Sequence, residues 1–241
     1  IAWGYRNLAR ALAPRRVYGL QSPALDAAKP LPESLEGLAD AYVAEILALQ
    51  PAGPFHLGGW SVGGIVAQAM AARFRALGHT VGVLALLDSY PAECWRAEPE
   101  PDRMAALRAL LAIAGYDPES YPHLDSRDKL VDFLRRGDSP LGSLPDAALE
   151  GVVRSVLGTN RLVRGHFHGR YDGMLTHVRA ALDHQGKNLV ADLWRSHAGA
   201  VDRIDVPFLH PQMISADAAA LIAPALERRL STHDVATEET G

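Results

Sequence analysis

The chain has 241 residues, 48% hydrophobic and 22% charged, and carries a formal net charge of −4. That length allows one domain with a sizeable core, and no apolar run approaches the roughly eighteen residues of a membrane span. Without a global basic field a nucleic-acid partner has no electrostatic support, and a lone cysteine, Cys94, excludes an internal disulfide framework. The N-terminus lacks the charged-then-apolar pattern of a signal peptide, so a cytoplasmic location is expected.

Along the chain, Tyr5 to Leu12 reads as a short helix that Ala13-Pro14 ends, and Val17 to Leu20 is a brief β-prone run before a Pro- and Ala-rich loop from Ser22 to Pro32. Leu35, Leu38, Tyr42, Ile46 and Leu49 recur at spacings of three and four, which makes one face of a long helix apolar until Pro51. A strand near Phe55, a sharp turn and a helix ending at Gly78 follow. Val81 to Leu87 is an unbroken apolar run, the mark of a strand buried on both faces, with Asp88 at its carboxyl end. These alternating elements predict an α/β fold built on a mostly parallel sheet.

From Pro91 to about Gly165 the pattern changes to amphipathic helices, with Met104 to Ala114, Leu130 to Leu134 and Val152 to Val163 as periodic stretches. Such an insertion is expected to act as a helical lid over the carboxyl edge of the sheet, where α/β folds place ligands. Tyr171 to Leu182 and Val201 to Phe208 are candidate returning strands, and Ile214 to Leu230 a closing helix. The polar residues Ser231 to Gly241 are expected to be disordered. The domain plan is thus a single unit, with core residues 1–90 and about 166–230 and a lid of about 91–165.

The chemistry concentrates at Gly59-Trp60-Ser61-Val62-Gly63, a nucleophile-elbow pattern in the strand-turn-helix context that such a motif needs. Gly59 and Gly63 are expected to be glycines because a side chain there would meet the adjoining strand or helix. A helix starting just after Ser61 points its unpaired amides at any oxyanion formed there, and the Val62 N–H is the expected donor. A serine hydroxyl also requires a histidine base and a carboxylate to orient it. Asp88 is the preferred acid, with Asp172 and Asp205 as substitutes. His210, after the last predicted strand, is the preferred base, with His177, His184 and His197 as competitors. Cys94 reads as an inert thiol, and the lid arginines, Arg103, Arg108, Arg127, Arg135 and Arg136, as a solvated face.

At these residues, and along most of the chain outside the lid, the sequence resembles the terminal (type I) thioesterase domains of nonribosomal peptide synthetases, within the α/β-hydrolase superfamily. The matching stretches are AWGYRNLARAL, VYGLQSP, LQPAGPFHLGGWSVGG, VAQAMAARFRALGHTV, LALLDSYP and HPQM. The resemblance implies that Ser61 takes an acyl chain from the phosphopantetheine arm of an upstream peptidyl carrier protein, that Asp88 and His210 complete the triad, and that the domain binds no cofactor or metal of its own. It also implies a second oxyanion donor from a loop upstream of Ile1. Release would be by hydrolysis or macrocyclisation. The alternatives are a stand-alone editing thioesterase, which more often has His than Trp before the serine, another serine esterase, and a catalytically silent carrier-binding module.

Overall fold

A computed structural model describes residues 1–137 and 139–238, the side chains of 234–238 excepted. Its helices are α1 (Arg6–Ala11), α2 (Leu35–Leu49), α3 (Val62–Ala76), α4 (Arg103–Ile113), α5 (Arg127–Arg136), α6 (Asp146–Gly165) and α7 (Ala216–Glu238). Its strands are β1 (Phe55–Trp60), β2 (Val81–Leu87), β3 (Tyr171–Ala180) and β4 (Ala198–Val206). All pair in parallel in the order β1-β2-β3-β4, with Trp60 opposite Leu87, Leu87 opposite Val178 and Val178 opposite Ile204.

Parallel strands need crossover segments; here the crossover α3 covers one face of the sheet together with α2, while α1 and α7, which precede and follow the strands, cover the other. Alternation along β2 divides its side chains accordingly. Leu84 and Leu86 pack with Leu35, Tyr42, Met70 and Phe74 of α2 and α3, whereas Val83, Ala85 and Leu87 pack with Leu12, Ile222 and Leu226 on the side of α1 and α7. Phe55 of β1 stacks on Phe74 of α3 with centroids 4.2 Å apart. The helices between β2 and β3 form a third apolar cluster around Leu110, Leu130, Leu134 and Val152, against which Ile1, Trp3 and Leu25 pack. Ser34, Asp102 and Ser126 cap the starts of α2, α4 and α5 by accepting amides of the first turn.

Three expectations are corrected. Val17 to Leu20 forms no ladder with a described strand, and Tyr18 is 69% exposed, because β-propensity without a hydrogen-bonding neighbour makes no strand. Leu49 is 74% exposed at the last turn of α2, although it shares the spacing of buried Leu35, Leu38 and Tyr42. The segment from Ser231 expected to be disordered instead continues α7 to Glu238; each residue added to an already packed helix adds a hydrogen bond without a new nucleation cost. Residues 239–241 of that segment lie outside the described residues. Among the described residues no helix is long and apolar enough to cross a membrane.

Candidate active site

Strand β1 ends at Trp60 and α3 begins at Val62, so Ser61 alone makes the turn, at φ 56° and ψ −128°. A non-glycine residue held there costs about 1–3 kcal/mol, which neighbouring bonds must offset. The Ser61 amide donates to Leu87 O at 3.0 Å and its carbonyl accepts from the Gly64 amide at 3.0 Å. The turn is so tight that a Cβ on Gly59 would stand 2.1 Å from Gly63 O. The reason for Gly63 is different from that expected, since its Cβ would meet the Tyr5 hydroxyl at 2.7 Å rather than strand or helix. Gly64, not singled out in the sequence, faces Ser89 Cβ at 2.5 Å from the same imagined atom. As the first residue of α3, Val62 has an amide with no acceptor inside the helix.

Asp88 follows β2 directly, at φ 45°, and its amide donates to Val178 O at 2.7 Å. Its buried carboxylate is fully engaged. Oδ1 accepts from Tyr90 Oη at 2.9 Å and the Ala180 amide at 3.1 Å; Oδ2 lies 2.6 Å from His210 Nδ1 and 2.7 Å from His184 Nε2. Burial opposes its charge, but hydrogen bonds from the two imidazoles prevail and hold the acid well below the usual carboxylate range. Burial and the adjacent carboxylate push the Tyr90 phenol far up, so Tyr90 remains a donor.

His210 heads a 3-10 turn, His210–Ile214, after β4, and its Nε2 is 3.1 Å from Ser61 Oγ. Its main chain is held from two sides. The His210 amide donates to Asp183 Oδ2 at 2.8 Å, and Trp60 Nε1–H donates to the His210 carbonyl at 3.0 Å. Ser61, His210 and Asp88 thus form a continuous hydrogen-bonded line at the carboxyl ends of β1 and β2.

The competing residues stand elsewhere, with one exception. His177 is buried with Nε2 on Ser89 O at 2.9 Å, and His197 pairs with Glu93 at 2.6 Å. Asp172 pairs with Arg75, and Asp205 with Arg179 and Arg203. His184 is the exception, because it touches Asp88 directly. Asp88, His184 and His210 offer three ligand atoms within 4.8 Å of one another. Ligands of a tetrahedral zinc at 2.0–2.1 Å stand about 3.3 Å apart, however, so the 2.6 and 2.7 Å separations here are those of hydrogen bonds. Burial, and then Glu93, raises the Cys94 thiol pKa, which disfavours the reactive thiolate. Arg103, Arg127, Arg135 and Arg136 pair with carboxylates of the inserted helices, and Arg108 donates to nearby carbonyls.

A family model for the thioesterase domain matches residues 1–161, which include Ser61 and Asp88. The chain belongs to that family. The thioesterase domain is 30% identical over 235 residues to a dimodular nonribosomal peptide synthase of Bacillus subtilis (strain 168), covering 95% of this chain and 10% of the relative. It is also 30% identical over 240 residues to the probable non-canonical synthetase CymA of Salinispora arenicola (strain CNS-205), covering 95% of this chain and 3% of that one. The chain therefore spans a tenth or less of these relatives' length. Among solved structures, the NocB thioesterase domain in covalent complex with a fluorophosphonate nocardicin G analog matches with a TM-score of 0.67 at 25% identity, covering 95% of this chain and 89% of that one. The surfactin thioesterase domain SrfTE matches with a TM-score of 0.67 at 17% identity over 95% and 86%, a likeness of fold. The thioesterase domain is of the nonribosomal-synthetase type and has the α/β-hydrolase fold.

Proposed function

We propose that this thioesterase domain takes a peptidyl chain from the phosphopantetheine thioester of an upstream carrier protein onto Ser61 and releases it by hydrolysis or macrocyclisation. The observation that carries the reading is the line from Ser61 Oγ to His210 Nε2, 3.1 Å, and from His210 Nδ1 to Asp88 Oδ2, 2.6 Å. The ground for the peptidyl chain and the carrier is the similarity to nonribosomal peptide synthetases.

In the first half-reaction His210 Nε2 removes the Ser61 proton while Ser61 Oγ bonds to the thioester carbonyl carbon. Asp88 stabilises the resulting imidazolium, and the Val62 N–H faces the oxyanion. Collapse breaks the carbon–sulfur bond, the thiolate takes the proton from His210, and an acyl-serine ester remains. In the second, His210 deprotonates water, or an amine or hydroxyl of the same chain. That nucleophile attacks the ester, and Ser61 recovers its proton. Phosphopantetheine thus arrives as part of the substrate, with no cofactor of the domain's own required. The inserted helices are proposed as a lid on a single catalytic domain, excluding water and favouring internal attack.

The test is labelling with a fluorophosphonate and turnover of a synthetic peptidyl thioester. A stoichiometric adduct at Ser61, lost in His210→Ala, supports the reading; a folded protein that takes no label favours a silent carrier-binding module. Product masses then separate linear acid from ring. Trp60 before the serine, where stand-alone editing thioesterases more often carry histidine, favours the terminal reading.

A further inference from the structure

A serine triad needs one imidazole on its carboxylate, yet Asp88 Oδ2 holds two, His210 Nδ1 at 2.6 Å and His184 Nε2 at 2.7 Å. We propose that His184 is a positioning residue which shares the triad oxygen with His210 and thereby sets the pH at which the Ser61 reaction switches on. The inference rests on the triad reading above.

The loop after β3 is built to make this contact. His184 adopts φ 61°, a left-handed conformation uncommon outside glycine. Asp183 accepts the His184 amide on Oδ1 at 2.7 Å and the His210 amide on Oδ2 at 2.8 Å. One side chain thus fixes both histidines relative to each other. Tyr90, which donates to the other Asp88 oxygen, packs edge-on against the His184 ring with centroids 5.3 Å apart.

The charged and titratable groups around His184 are Asp88 and Tyr90 from the end of β2, Asp183 and Lys187 from its own loop, and His210 from the turn after β4. Burial opposes a charge on His184 and Lys187 repels it. The hydrogen bond to Asp88 and the attraction of Asp88 and Asp183 outweigh both, so its pKa is raised. The protonated ring is thus the favoured form beside Asp88, with its centroid 5.9 Å from that of His210. A unit charge at that distance disfavours a second one by roughly half a pH unit in water-like surroundings and roughly two units at an effective dielectric of 20. A proton on His184 therefore works against the imidazolium that the Ser61 reaction builds on the same Asp88 oxygen, which ties the acid limit of that reaction to His184.

The experiment is the pH dependence of Ser61 labelling by a fluorophosphonate in the wild type, His184→Gln and His184→Ala. Both variants should move the acid limb upward, by roughly half a unit to two units. The plateau rate should fall less in the glutamine variant, whose amide can still donate to Asp88. A purely structural role would lower the plateau and leave the limb in place, so superimposable limbs overturn the proposal. In the unaltered protein, ring-nitrogen NMR should find His184 protonated at the pH of half-maximal labelling; a neutral His184 there also overturns it. If wild-type protein does not label at Ser61, or His210→Ala still does, the triad reading fails first and the inference falls with it.

Discussion

The Tyr5 hydroxyl accepts the Trp60 amide at 2.9 Å and stands 2.7 Å from the point that a Cβ on Gly63 would occupy. One phenol from the turn before α1 therefore ties down the entry to the Ser61 turn and limits what its exit can carry. Tyr5→Phe should leave the Trp60 amide without its acceptor and cost about 1–3 kcal/mol in a denaturant melt. Gly63→Ala should be more damaging in the wild type than in Tyr5→Phe, where the oxygen it collides with is gone. Strict additivity of the two would show that the contact is not what excludes a side chain at Gly63.

Asp88→Asn should preserve the fold, because the neutral amide fits the same space, while lowering thioester turnover by about 10⁴-fold through loss of the anion that orients His210 and balances its charge. Circular dichroism and steady-state kinetics check the two halves separately. Undiminished turnover would place the working acid elsewhere.

Trp60→Phe keeps a ring near His210, whose centroid is 5.1 Å from that of Trp60, and deletes the bond from Trp60 Nε1 to the His210 carbonyl. A hydrogen bond of this kind contributes about 0.5–1.5 kcal/mol. Ser61 labelling should slow up to about tenfold while the melting temperature shifts little. An unchanged rate would mean that Asp183 alone positions the His210 backbone.

Stability should fall below about pH 6.5 through two histidines outside the proposed triad. His168 accepts the Ala92 amide on Nε2 at 3.0 Å, and its Nδ1 lies 2.6 Å from Gln68 Oε1. Burial first, then electrostatic repulsion from the neighbouring His166, His197 and Arg96, push its pKa down to about 2. Burial likewise takes His177 down to about 4, although the charge of Asp88 pulls the other way. In both, the unfolded chain takes up a proton near pH 6.5 and the folded chain does not, so unfolding becomes easier as the pH falls. The slope is about 1.4 kcal/mol per pH unit and group. Urea melts from pH 7.5 to 4.5 should show it, flattened in His168→Gln. A His168→Gln protein with the wild-type acid slope would contradict this assignment.

Short-range patterns made the centre of the fold legible before any coordinates. The apolar run Val81 to Leu87 marks a strand covered on both faces, and Gly59-Trp60-Ser61-Val62-Gly63 marks a turn whose steric demands are local. The placement of Asp88 directly after that strand and of His210 after the last one followed from the order of elements along the chain. Periodicity failed where tertiary cover decided the outcome. Leu49 keeps the helical spacing of its buried neighbours yet is left exposed, and Val17 to Leu20 has β-prone residues with no ladder beside them.

Nothing in the sequence distinguishes His184 from His177 or His197, because their roles depend on which groups the strand order carries to the same edge. The bond from Asp88 to Ala180 and the one from Asp183 to His210 join segments far apart in the chain. Residue pattern alone determined the alternation of elements, the strained serine turn and the three residue types of the proposed triad, since each is dictated by backbone sterics or by proton transfer. Only the tertiary structure decided that the Asp88 carboxylate serves two imidazoles and that Tyr5 is what keeps Gly63 a glycine. Contacts between distant segments are set by strand register and loop path, and these leave no periodic trace in the chain.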